Sequence, residues 1–576
     1  MARRFATHER RPTAALDGIW DFAFLGEADP DAVAPDRIDF DAVAAVPGCF
    51  DATPAFAGRR GLAAYRTRLD VEPGRQRLVF DAVQHWARVY WNGDLIREHA
   101  GGFTRFWAET ESEGGQAEIV VLVDNRFDER SPLHMEHFDW YHYGGISRSV
   151  ELQLLGPVRI DALRVETASV ADRRVNVRID YAADASGPVP LEIVCDGRTV
   201  LTEDVELSTA GSLDRAIELP WAAPWTPADP NLSVLSVRLG EDDLRERFGL
   251  REVATANGRI TLNGEPLTLL GVNRHEAHPQ FGHAQPEALL VNDVQQLQEL
   301  GCNFVRGSHY PLDPLFLDLC DEAGILVWCE SIGWQYPVEH LTDPAFIEAQ
   351  LAHIDEMVAA SRNHPSIILW GILNECPSWS EAGHPVYERL LGRLRELDAT
   401  RPVTYAAINA LDDKCFDLVD VVSANTYPGW YWADVPDIPG ELDKIAAHVD
   451  ALGHAEKPLI ISEIGAGAVP GWNDSIGSLW TEDYQARLLD TVAGHIIDGQ
   501  DRISGLAIWV LGDFRTTEQR EFLLRRPRGV NDKGLIDEYR RPKQAFRTVQ
   551  GHFRRRLDDK AFDDRTFDDR TFENNA

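Results

Sequence analysis

No apolar run in this chain approaches the ~20 residues that a membrane-crossing helix needs. Its first residues, Met1-Ala2-Arg3-Arg4-Phe5-Ala6-Thr7, are partly basic but lead into no hydrophobic stretch of the secretory kind. Cysteine is scarce. The seven, at 49, 195, 302, 320, 329, 376 and 415, are odd in number, and no pair has zinc-finger spacing. Cys302 and Cys329 lie inside apolar runs, where a free thiol acts as a small core residue, as suits a reducing compartment. The expectation is a cytoplasmic protein with no membrane partner. Positive charge is also short: 57 Lys and Arg against 93 Asp and Glu leave −36. Such a field argues against nucleic acid and anionic bilayers. It does not exclude an anionic small molecule, because a local basic pocket dominates within a Debye length of ~8–10 Å.

The rest of the composition, 44% hydrophobic and 26% charged, is ordinary for a globular protein. With 576 residues the chain exceeds one core, so three or four domains are expected. Residues 1–155 carry short alternating runs such as Ala87-Arg88-Val89-Tyr90-Trp91, broken by turns such as Asn92-Gly93, which predicts a jelly-roll β-sandwich. Residues 156–252 continue in this style, as in Arg174-Val175-Asn176-Val177-Arg178-Ile179, and suit an immunoglobulin-like β-sandwich. From 253 to 553 strand-like and helix-like segments alternate. Eight candidate strands, at 268–274, 302–307, 325–330, 367–374, 402–406, 420–425, 459–463 and 503–510, predict a (β/α)8 TIM barrel. The segment 554–576 repeats Phe-Asp-Asp-Arg-Thr and reads as an acidic tail, expected to be disordered.

Two acids stand at strand ends. Glu375 closes Ile367-Ile368-Leu369-Trp370-Gly371-Ile372-Leu373-Asn374, and Glu463 closes Leu459-Ile460-Ile461-Ser462. An acid at the C-terminal tip of a barrel strand faces the mouth, where barrels keep their chemistry. Two such acids can serve a glycosidase, one protonating the leaving oxygen and one attacking the anomeric carbon. No metal-ligand set stands out, and no cofactor is needed for that chemistry.

Several motifs resemble glycoside hydrolase family 2: Arg306-Gly307-Ser308-His309-Tyr310-Pro311, Asn363-His364-Pro365-Ser366, and Trp370 through Asn374-Glu375. The resemblance covers roughly residues 12–550 and implies a jelly roll, a sandwich and a barrel in that order. Within the family the chain is most similar to the β-glucuronidases, on Asn531-Asp532-Lys533-Gly534. The resemblance implies that Asn531 and Lys533 grip the sugar carboxylate, one with a directed amide donor and one with a point charge. It further implies that Asn425, Tyr427 and Tyr431 line the pocket, with Tyr427 near Glu463. His275 and Asp139 are expected on sugar hydroxyls, Asn374 on the 2-hydroxyl, and Trp509 as a pocket-floor indole.

The chain departs from the family before Asn531, where Arg525-Arg526-Pro527-Arg528 shifts the register of an assisting arginine; Arg528 is the expected one. The stretch from Glu330 to His364 is short, which implies an open mouth. The implied activity is hydrolysis of terminal β-D-glucuronides with retained configuration: Glu463 as nucleophile, its charge held by Tyr427, and Glu375 as acid/base with a raised pKa. The implied partner is a glucuronic-acid-containing glycoside or oligosaccharide. A β-galacturonidase, a β-galactosidase and a non-catalytic carbohydrate-binding protein stay open as alternatives, as does assembly into a homo-oligomer.

Overall fold

The computed structural model describes residues 3–499 and 501–558. The first part is two antiparallel sheets. One has four strands, in the order Thr13–Ala15, Val150–Leu155, Gly74–Phe80, Phe106–Ser112. The other has six, in the order Ala42–Val46, Gly18–Gly26, Leu62–Val71, Gly115–Asp124, Trp86–Trp91, Asp94–Ala100. Alternation along Gly115–Asp124 explains the packing. Ile119, Val121 and Val123 face the core between the sheets. Val120 and Leu122 face a second cluster with Trp86 and Tyr90 on the other side.

The next part is a sandwich of a three-stranded and a four-stranded antiparallel sheet, built from strands between Val158 and Phe248. Along Arg174–Ala183 the odd positions Val175, Val177, Ile179 and Tyr181 are buried, while Arg174, Asn176 and Arg178 are exposed.

The barrel closes over eight parallel strands: Leu269–Arg274, Phe304–Gly307, Leu326–Glu330, Ile367–Asn374, Val403–Ala407, Val422–Asn425, Leu459–Glu463 and Ile503–Ile508. These are the eight segments expected from the apolar runs, each trimmed or shifted by two residues or fewer at its ends. They are buried along their full length, as befits strands covered on both faces. Residues 253–266 form a small three-stranded antiparallel sheet under the barrel, and its Ile260 and Leu262 plug the bottom against Leu269, Phe304 and Trp328.

Loop 125–144 of the jelly roll reaches the top of the barrel. Its Leu133, Phe138 and Trp140 join the barrel's own core. Arg148 fixes the approach: its buried guanidinium donates to Glu276 at 2.9 Å, to the Pro311 carbonyl at 2.7 Å and to the Phe103 carbonyl at 2.9 Å. The last helix, Gln544–Asp558, runs five residues beyond the expected barrel boundary at 553, so 554–558 are helical rather than part of a tail. The Phe-Asp-Asp-Arg-Thr repeat itself lies outside the described residues.

Candidate active site

A cavity of about 900 Å³ opens at the C-terminal ends of the barrel strands and is lined by both Glu375 and Glu463. Glu375 follows the fourth strand on a strained turn: Leu373 and Glu375 both have positive φ, 38° and 54°. Non-glycine residues held there cost roughly 1–3 kcal/mol each, so the surrounding structure must over-determine the turn. The Glu375 carboxylate accepts from Gln335 Nε2 at 2.7 Å and from Asn425 Nδ2 at 2.9 Å.

Glu463 ends the seventh strand. It accepts from Tyr427 Oη at 2.7 Å and from Arg306 Nη1 at 2.8 Å. Arg306 is fully buried on the second strand. It also pairs bidentately with Glu330 at 3.0 Å per contact and donates to Asn374 Oδ1 at 2.9 Å. One guanidinium therefore ties the Glu463 carboxylate to the strand that carries Glu375. Asn374 Oδ1 is further engaged by Asn425 at 3.0 Å, while its buried Nδ2 has no partner. His275 shows the same pattern: Nδ1 faces Tyr310 Oη at 3.1 Å and Nε2 is buried and unpartnered. Two donor-capable atoms are thus left unused in the wall of the site. Trp509 stands perpendicular to His275 and stacks on His309, with centroids 5.2 Å apart and an interplanar angle of 12°.

The Asn531–Lys533 segment meets the jelly-roll loop across this cavity. Asn531 ends a two-residue strand and Lys533 follows in a turn; both line the cavity, and Asp532 does not. Gly534 allows the next step, since a Cβ there would sit 2.4 Å from the Asp513 nitrogen and the Ile536 oxygen. Lys543 Nζ fastens the segment from beneath, donating to Asp513 at 2.7 Å and to the Asp532 carbonyl at 3.0 Å. Lys533 is 2% exposed. Its Nζ donates to Tyr431 Oη at 3.1 Å and has no salt-bridging carboxylate among the described residues. Asp139 is heavily engaged, by Thr516 at 2.8 Å, Asn531 at 3.0 Å and Arg526 at 2.5 Å. It lines the cavity with less free capacity for sugar hydroxyls than expected.

Arg526 and Arg528 both line the cavity, and they differ in what holds them. Arg528, on a left-handed residue with φ of 61°, turns to Glu538 at 2.8 Å and to Asp532 at 2.5 Å. Arg526 is the one that reaches Asp139 beside Tyr431. Arg306, Gln335 and Arg526 had no assigned role in the sequence. Arg306 lies inside a recognised motif and Arg526 in the stretch expected to supply an assisting arginine, whereas Gln335 has no signal beyond its polarity.

Burial pushes both acids up. Glu463 rises to about 8, through desolvation first and then the charge of Glu375, against the pull of Arg306 and Tyr427. Glu375 is raised by desolvation, opposed by Asn425 and Gln335. The donors expected to hold Glu463 as a carboxylate, Tyr427 among them, are in place, and burial beside Glu375 works against them. The two titrate as a pair. Protonating Glu375 removes its charge from Glu463 and leaves Arg306 and Tyr427 to favour the Glu463 carboxylate. Lys533 is lowered by burial and then by Arg526. Burial works to raise Tyr431, but Lys533 and Arg526 bring it below its usual value.

Two clusters among the described residues have metal-ligand chemistry, and neither adjoins the acids. In one, Asp318 is taken by Arg3 at 2.9 Å, and His364 bonds Asp321 at 2.6 Å. In the other, His85 and His134 stack face to face at 4.1 Å with an angle of 5°, so their in-plane lone pairs do not converge.

The model described as glycosyl hydrolases family 2, TIM barrel domain, matches residues 253–555. A β-glucuronidase of Streptococcus agalactiae is 28% identical to this chain over 93% of its residues and 95% of the relative's. Among solved structures, a GH2 β-galacturonidase of Eisenbergiella tayi bound to galacturonate is similar with a TM-score of 0.89 and 34% identity, covering 96% of this chain and 99% of that one. A β-glucuronidase of an uncultured Clostridium has a TM-score of 0.85 at 25% identity, covering 96% and 99%.

Proposed function

The chain belongs to glycoside hydrolase family 2 and is a glycosidase, and we propose that it hydrolyses terminal β-D-glucuronides with retention of configuration. The observation that carries the uronide reading is Lys533. A buried ammonium with no carboxylate partner is costly unless the ligand supplies one. Asn531 and Arg526 beside it add donors suited to a carboxylate. A neutral sugar would leave the Lys533 charge unmatched.

In the proposed mechanism the Glu463 carboxylate attacks the anomeric carbon while Glu375 protonates the departing oxygen. Glu375 then takes a proton from water, which attacks the glycosyl-enzyme and frees Glu463. Arg306 and Tyr427 hold the nucleophile's charge. The free Asn374 Nδ2 suits the 2-hydroxyl, and the free His275 Nε2 suits a ring hydroxyl. Tyr431 and Trp509 close the sides of the sugar pocket.

A second reading, β-galacturonide hydrolysis, draws on the 34% identity to a β-galacturonidase. Both uronides offer the same carboxylate to Lys533 and differ at one hydroxyl. Initial rates on aryl β-glucuronide, galacturonide, galactoside and mannoside decide the matter. We expect the uronides to lead. Lys533→Ala should lower uronide kcat/KM more than ~10²-fold, as expected for losing a buried charge contact. A wild-type preference for galactoside, or equal losses on charged and neutral substrates, would sink the reading.

A further inference from the structure

Beyond the two acids the cavity wall changes character. Trp432, Leu479, Leu523 and Leu524 are large apolar side chains left open to solvent, and all four line this cavity. Leu524 is 76% exposed and Leu479 50%. Single exposed leucines are ordinary, but several converging on one opening mark a binding surface. They come from three segments, those that follow the sixth, seventh and eighth barrel strands. The short helix Arg520–Arg525 has no buried residue. Its Phe522 leans on the barrel core, which leaves Leu523 and Leu524 outward. The two charged side chains of that helix that line the cavity, Glu521 and Arg525, pair with each other at 3.1 Å. The cavity's ~900 Å³ lies near the top of the ~300–1,000 Å³ range for drug-sized ligands, more than a single sugar ring fills.

We propose that this wall is the leaving-group site, and that it takes apolar aglycones, alkyl chains or fused rings, in preference to a second sugar. The inference rests on the glycosidase reading of the cavity but not on which sugar is cleaved. A sugar in this place would need donors and acceptors around its edge, and leucine side chains offer none. An apolar aglycone would instead cover surface that water now wets, which is favourable in proportion to its area.

The test compares n-hexyl and methyl β-glycosides, whose leaving alcohols have similar acidity, in both the glucuronide and the galactoside series. The wild-type enzyme should favour hexyl over methyl by at least about tenfold in kcat/KM, equivalent to ~1.4 kcal/mol, in whichever series it cleaves. The double variant Leu479→Asp/Leu524→Asp should bring that ratio close to one. The pair Leu479→Met/Leu524→Met should keep it, which separates loss of the apolar wall from loss of the fold. A wild-type ratio near one, or a ratio unmoved by the aspartates, overturns the proposal. Cleavage of galactosides alone, with the hexyl preference intact, would remove the uronide reading and leave this one standing.

Discussion

At the scale of single residues, each proposed catalytic acid is held by groups that suit its part. Glu463 touches a guanidinium and a phenol, whereas Glu375 touches two neutral amides. A charged donor favours a carboxylate more than a neutral one does, so the single negative charge of the pair belongs on Glu463. Glu463→Gln and Glu375→Gln should each lower turnover by at least ~10³-fold. Added azide should restore the second variant through a β-glycosyl azide, because the nucleophile is intact there. Near-normal rates in either variant would remove that residue from the mechanism. The raised pKa also predicts a stability effect. The folded pair keeps one proton to higher pH than the unfolded side chains do, since burial raises both Glu463 and Glu375 above their usual values. The native state therefore binds more protons than the unfolded chain above the ordinary carboxylate range, and stability is lost as pH rises through the raised range of the pair. Glu463→Gln should raise Tm more at pH ~8 than at pH ~5. An equal shift at both values would mean that the folded pair holds no more protons than the unfolded side chains.

At the scale of elements, Arg148 is the joint between the jelly roll and the barrel mouth. Its removal leaves Glu276 buried without its closest cation and two carbonyls without a donor. Arg148→Ala should cost about 3–5 kcal/mol in denaturant unfolding and raise KM by loosening the loop that carries Asp139. Unchanged unfolding would show that apolar packing alone seats that loop. Which elements exist was legible in the sequence, because barrel strands covered on both faces must be continuous apolar runs. Ile367–Asn374 and Leu459–Glu463 could hardly be anything else. Glu375 and Glu463 were legible because the strand ends expose them, and Lys533 because the motif around it is short and distinctive. Gln335 was not, since its contact with Glu375 comes from the loop after the third strand, which bridges to Asn374 at the end of the fourth. The two arginines around Pro527 are alike as letters. Only the left-handed turn at Arg528 and the carboxylates it meets set the two apart, Arg528 on Glu538 and Asp532 and Arg526 on Asp139.

At the scale of the whole molecule, the barrel is not a self-sufficient unit. Phe103, Leu133, Phe138 and Trp140 of the jelly-roll part belong to the core that includes Trp509 and Tyr427. The same loop brings Asp139 to Asn531 and Arg526, so the anion-binding corner is assembled from both parts. At the other end of the chain, Arg3 pairs with buried Asp318 on a barrel helix at 2.9 Å. A fragment of residues 253–558 would expose the apolar surface now covered by four large side chains, at roughly 1.5–3 kcal/mol for each one lost. It would also leave Asp318 without Arg3, and Arg526 without Asp139. Such a fragment should bind a hydrophobic dye, unfold without a sharp transition and lack measurable glycosidase activity, even though it contains both glutamates. Co-expression with residues 1–252 should restore part of the activity, because the missing contacts are non-covalent. A fragment that unfolds cooperatively with wild-type kcat/KM would show that the jelly roll merely decorates a complete enzyme, and that Asp139 has no part in shaping the pocket.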